Sequence, residues 1–84
     1  MTKSITILPV GTKFEYEGLT YQVTDRSQYP FIMAKCLTEP NDYEGHEIMF
    51  WNFEKVEVQD DTKTYKQTFV EVSKNYFAMK EELV

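Results

Sequence analysis

In the last quarter of the chain Tyr65, Phe69, Val72, Tyr76, Met79 and Leu83 recur at intervals of 4, 3, 4, 3 and 4 residues. On an α-helix that spacing gathers six large apolar side chains on one face, while the Lys, Glu, Gln, Thr, Ser and Asn between them face water. Val70, Phe77 and Val84 widen the stripe. Asp60, Asp61 and Thr62 precede it as N-cap residues, and their carboxylates suit the positive end of the helix dipole. The expectation is one C-terminal α-helix over about 62–83, packed on a sheet made by everything before it. A competing signal runs through the same stretch. Thr64, Thr68, Val70 and Val72 are β-branched, and residues 68–72 suit an edge strand followed by a short helix from Ser73. The length of the recurrence favours the helix.

The sheet is read from alternation. In residues 4–8 Ile5 and Ile7 share one face, which suits a first strand ended by Pro9-Val10-Gly11. Residues 13–16 and 19–24 alternate around Glu17-Gly18, a tight-turn signal because glycine accepts positive φ. Leu19, Tyr21 and Val23 point one way, as in an antiparallel pair buried on one side. Residues 31–37 are apolar on both faces apart from Lys35, which suits a central strand. Residues 46–53 form another strand, with Ile48 and Phe50 on one face and Met49, Trp51 and Phe53 on the other. Residues 55–59 alternate again. The turn-rich stretches 25–30 and 38–45 are loops. The predicted class is α+β: five to six short antiparallel strands in a curved sheet or small open barrel, covered by the C-terminal helix, as a single domain over 1–84.

A chain of 84 residues with 42% apolar and 15% aromatic residues is too hydrophobic for disorder and long enough for a small core. Stability of order 5 kcal/mol is the expectation at this size. One cysteine, Cys36, excludes a disulfide within the chain, so a secreted, disulfide-stapled mini-protein is not indicated. The apolar run 5–10 is too short, and too broken by Pro9, for a signal peptide core, and no segment is long enough to span a membrane as a helix. The expected location is the cytoplasm of a bacterium or of a phage-infected host cell. The net charge of −5 is unevenly placed. Residues 36–61 hold eight acids against one base, Lys55, and the rest of the chain is slightly basic. Such a middle repels phosphate, which argues against direct nucleic-acid binding and for a partner with a basic surface.

The stretch Gly11-Thr-Lys-Phe-Glu-Tyr-Glu-Gly-Leu-Thr-Tyr-Gln-Val resembles the opening hairpin of SH3-like small barrels. It is also similar to hairpins in many short proteins of bacteria and phages. The match spans about 13 residues, rests on a generic Gly, aromatic and Val pattern, and implies only strand–turn–strand. Small size and acidity also resemble phage-encoded inhibitors of host defence, such as anti-CRISPR proteins. That class shares no common motif, so no functional residue is carried over.

Few residues could carry chemistry. Asp42, Glu44 and His46 alternate, and in an extended segment would offer oxygen and imidazole to a divalent metal; solvated loop acids are the plainer reading. Cys36 and His46, the only thiol and imidazole, could pair as nucleophile and base. Cys36 lies in the most apolar strand, where cysteine usually acts as a small core residue. There is no phosphate loop, dinucleotide fingerprint or nucleophile elbow. Tyr29, Phe31, Phe50, Trp51 and Phe53 could stack bases, although core packing suits most of them better. Trp51 differs: on a strand with two apolar faces, either the helix covers Met49, Trp51 and Phe53 or they form an exposed patch.

These features together predict a non-enzymatic small acidic binding protein acting through a protein–protein interface. The setting considered is a phage-encoded inhibitor of a host nucleic-acid-handling complex. The candidate partner-binding residues are Trp51 and Phe53 with Glu39, Asp42, Glu44, Glu47, Glu54 and Glu57. No catalytic, metal or cofactor-binding residue is assigned. The partner is another protein with a basic surface, without direct nucleic-acid or membrane binding, and with a homodimer as a further arrangement. The alternatives are a small metal- or thiol-dependent enzyme centred on His46 and Cys36, and a structural or self-assembling protein.

Overall fold

The tight turn at Glu17-Gly18 anchors the architecture. Both residues have positive φ, 50° and 80°, which gives the two-residue link the twist of the strands it joins. Strands β2 (Lys13–Tyr16) and β3 (Leu19–Asp25) pair across it, with Tyr16 opposite Leu19 and Phe14 opposite Tyr21. The computed structural model describes residues 1–38 and 47–84. Around this hairpin lie β1 (Thr2–Ser4), β4 (Phe31–Cys36), β5 (Glu47–Trp51) and β6 (Lys55–Glu57). Together they make an antiparallel sheet in the order β1-β6-β2-β3-β4-β5. The chain enters β4 through a cis Tyr29–Pro30 bond.

Alternation along these strands buries one face only. Phe14, Tyr21, Val23, Ile32, Ala34, Cys36, Phe50 and Val56, from five different strands, share one core with Ile5, Leu8 and Val58. Among the described residues no α-helix or second sheet lies over that face, so the sheet curls on itself to enclose its own side chains with Ile5 and Leu8. Phe14 stacks on Tyr21 with centroids 5.5 Å apart, and Phe50 meets both rings edge-on at 5.5 and 5.2 Å. Such pairs add to the area term of burial.

Residues 4–8 depart from the expected strand. Pairing stops at Ser4, and Ile5–Ile7 is a 3-10 helix closed by the Leu8 amide on the Ile5 carbonyl at 3.1 Å. That turn sends both Ile5 and Leu8 into the core at full burial. A strand would have buried Ile5 with Ile7 and turned Leu8 outward.

The C-terminal helix is not formed. Residues Tyr65–Ser73 and Tyr76–Leu83 are strands β7 and β8 of a separate two-stranded sheet, so the α+β reading with a helix over about 62–83 is corrected. The turn is Lys74-Asn75, with Asn75 at φ 65°, a conformation asparagine tolerates. Tyr65 opposes Leu83 and Phe69 opposes Met79. Steps of four residues keep a side chain on one face of a strand as well as of a helix, so these four satisfy either geometry. The two steps of three lead to Val72, at the register shift between Glu71 and Ser73, and away from Tyr76, beside the turn. The β-branched residues then favour the strand. Tertiary structure removes the rival: the concave face that a helix would have covered is already filled, with Ile5 and Leu8 among its contents.

Candidate functional site

The alternation that buries Ile32, Ala34 and Phe50 turns their neighbours outward. On the outer face of β4 and β5, Phe31 lies directly opposite Trp51, Met33 opposite Met49, and Lys35 opposite Glu47. The Phe31 and Trp51 rings are 4.5 Å apart at 42°. Beyond the end of β5 the chain turns, the Glu54 amide bonding the Trp51 carbonyl at 3.0 Å. That turn sets Phe53 against Trp51, nearly parallel at 14° and 5.8 Å. The result is a run of three rings continued by two methionines, with Met49 62%, Trp51 47% and Phe53 64% exposed. An open groove of about 310 Å³ runs beside it, lined by Asp25, Gln28, Phe31, Met33, Glu47 and Met49. Among the described residues β5 is the last strand of its sheet, so the patch borders a sheet edge.

Trp51 and Phe53, predicted as partner-binding, are thus brought together. Of the predicted acids Glu47 lines the adjoining groove. Glu54 follows Phe53 but is half-buried and accepts a hydrogen bond from the Tyr16 hydroxyl at 3.2 Å. That bond to the carboxylate, with its negative charge, holds the Tyr16 hydroxyl above its ordinary pKa. Glu57 stands elsewhere. It lines a second open groove with Lys13, Phe14, Glu15, Thr20, Val58 and Gln59, and it is held by the Thr2 hydroxyl and by the Met1 amine at 3.2 Å. The Thr2 hydrogen bond, helped by the amine, keeps its carboxyl below the usual pKa. Asp25 is likewise lowered, by the hydroxyl and backbone amide of Ser27, each 2.7 Å from Oδ1. Glu39, Asp42 and Glu44, together with His46, lie outside the described residues.

The sequence reading did not assign Phe31 and Met33 to the site. The signal was present, because a strand with apolar residues on both faces has an outer face to explain, but cross-strand register was needed to set them beside Trp51 and Met49. Cys36 points into the core with no exposed surface. Among the described residues no cluster of three His, Cys, Asp or Glu side chains has metal-binding geometry. No helix among them is long and apolar enough to cross a membrane.

A second surface went unnoticed in the sequence. Arg26, just after β3, sends Nη1 to the Thr6 and Leu8 carbonyls at 2.6 and 2.7 Å and Nη2 to Glu81 at 2.5 Å. Its guanidinium lies 4.6 Å from the Tyr65 ring centre. Gln67 adds a bond to Glu81 at 2.8 Å and one to the Thr6 carbonyl at 3.4 Å. This clamp fixes the open end of the β7–β8 hairpin to the 3-10 helix. The planar guanidinium suits the task because its donors fork toward several acceptors at once.

Comparison with protein-family models, with curated proteins and with solved structures gave no match in any of the three.

Proposed function

We propose that the chain is a non-enzymatic binding protein that engages another protein through the outer face of β4 and β5. The observation that carries this reading is the run of Phe31, Trp51 and Phe53, held ring against ring and open to solvent at β4 and the edge strand β5 of the described sheet. Rings in such a setting are the residues that dominate protein interfaces, because a partner removes much apolar area from water at little cost in side-chain entropy. Asp25 and Glu47 line the adjoining groove and give it a negative sign. They favour a partner with a basic surface, whose Arg or Lys side chains would lie over the ring faces. The same carboxylates repel nucleic-acid phosphates. The narrower setting, inhibition of a host nucleic-acid-handling defence complex, adds a basic groove as the target; small size and acidity support it. A thiol or metal enzyme centred on His46 and Cys36 has no observation in its favour, since Cys36 is sealed in the core.

Trp51 is the only tryptophan, so its fluorescence reports the site directly. Titration with an arginine-rich peptide is expected to change that emission saturably. Phe53→Ala, which leaves the reporter in place, should weaken binding about tenfold, and added salt should weaken it further. Emission that does not move, or an affinity indifferent to salt, would contradict the reading.

A further inference from the structure

We propose that Asp25 selects the group a partner presents to the Trp51 face, and that this group is an arginine guanidinium seated between the Asp25 carboxylate and the Phe31 ring. This rests on the protein-binding reading of that face and names the side chain it takes.

A break in strand alternation puts Asp25 there. Along β3, Tyr21 and Val23 enter the core, and unbroken alternation would send Asp25 the same way. The register shifts instead. Val23 pairs with Ala34 and Asp25 with Met33, which leaves Thr24 as an extra residue on β3. Such a bulge moves the next side chain to the other face. Asp25 therefore joins the outer row, beside Met33 and, one strand further, Met49. The Thr24 hydroxyl is left buried without a hydrogen-bond partner among the described residues, a local cost of the bulge. Bulges recur beside functional sites because they re-aim a side chain in this way.

The re-aimed carboxylate is fixed in position and its charge is not balanced. Oδ1 accepts from the amide and the hydroxyl of Ser27, each at 2.7 Å. Both donors are neutral, and among the described residues no cation forms an ion pair with Asp25. Arg26 follows it in sequence but is turned to the Thr6 and Leu8 carbonyls and to Glu81. Glu47, the other acid of the groove, stands directly opposite Lys35, which offsets its sign.

The surroundings favour a guanidinium over an ammonium. Phe31 lies two residues from Met33 on the same face of β4, which makes it the diagonal neighbour of Asp25, at about 7–8 Å. Both line the groove of about 310 Å³. A guanidinium placed between them lies with its plane on the ring, within about 6 Å of the centre. Its edge gives a carboxylate two parallel hydrogen bonds of about 2.8 Å. The methylene stem then passes over Met33 and Met49, whose thioethers adapt to it. An ammonium is a compact, strongly hydrated point charge, and it serves the carboxylate or the ring but not both at once.

The test titrates the full chain with three peptides and reads Trp51 emission. The peptides differ at one position, which holds arginine, lysine or citrulline, the last keeping the planar head without its charge. The unaltered chain is expected to bind the arginine peptide about tenfold more tightly than the lysine one, and to bind the citrulline peptide more weakly than the arginine one. Asp25→Asn, whose amide oxygen still accepts from Ser27, should bring the arginine and lysine peptides within about twofold of each other. Glu47→Gln should weaken both alike and leave their ratio unchanged. Equal affinities for arginine and lysine in the unaltered chain overturn the proposal, and so does a preference that survives Asp25→Asn. The three-peptide comparison needs no variant, so it decides the matter even where Asp25→Asn fails to fold. If Trp51 responds to the peptides without preference, the arginine inference falls and the protein-binding reading stands. If it responds to none of them, both fall.

Discussion

Glu57 shows how much one exposed side chain can be tied down. It accepts from the Thr2 hydroxyl and the Met1 amine and so links β6 back to β1 across 55 residues of sequence. Its carboxyl is held below the ordinary value, so the folded state releases this proton more readily than the unfolded one. The stabilisation is therefore present above the unfolded pKa and is lost as pH falls through the folded one. Replacing Glu57 by Gln should lower the urea midpoint at pH 7, and the gap to the unaltered protein should narrow as pH falls below the ordinary carboxylate value of 4.5 and close below the lower folded one. A gap that does not depend on pH would mean that the carboxylate's charge contributes nothing there. At this scale the sequence was partly legible. Trp51 and Phe53 stood out because alternation placed them opposite Phe50 in a strand that needs only one buried face. Glu57 did not, because its partners Met1 and Thr2 are remote in sequence and only the pairing of β1 with β6 joins them.

The β7–β8 arm is where element-level reasoning is most instructive. Its strands hold together through their own ladder, yet its attachment depends on Arg26. The guanidinium satisfies two backbone carbonyls, pairs with Glu81 and lies over Tyr65. Lysine has one nitrogen and cannot reach that set together. Arg26→Lys should therefore loosen the docking of the arm by about 2 kcal/mol, speeding amide exchange in β7 and β8 about thirtyfold while leaving that of β2, β3 and β4 unchanged. Uniform acceleration through every strand would show that arm and body unfold as one unit. The strands of the body were readable because one-sided burial imposes period two. The arm was misread because its spacing of four satisfies period two and period 3.6 alike at Tyr65, Phe69, Met79 and Leu83. The residues that decide between them, Val72 and Asn75, fall at a register shift and in a turn.

At the scale of the molecule, the unusual quantity is uncovered apolar surface. The body closes round eleven buried residues among those described, while the arm and the Trp51 face are left for something else to cover. If a second copy covers them, folding and association are linked by mass action, and the melting temperature should rise with protein concentration. A melting temperature constant over a hundredfold range of concentration would show that each chain is stable alone. The sequence by itself determined the strand-rich body, the Glu17-Gly18 turn, the apolar face of Met49, Trp51 and Phe53 and the acidic charge balance, because these follow from local alternation, turn chemistry and composition. Only the tertiary structure decided that the last quarter is extended rather than helical, that Ile5 and Leu8 plug the curled sheet, and that Phe31 and Met33 join Trp51. Each of those depends on which surface is already occupied and which strands lie side by side, and no local window of sequence contains that information.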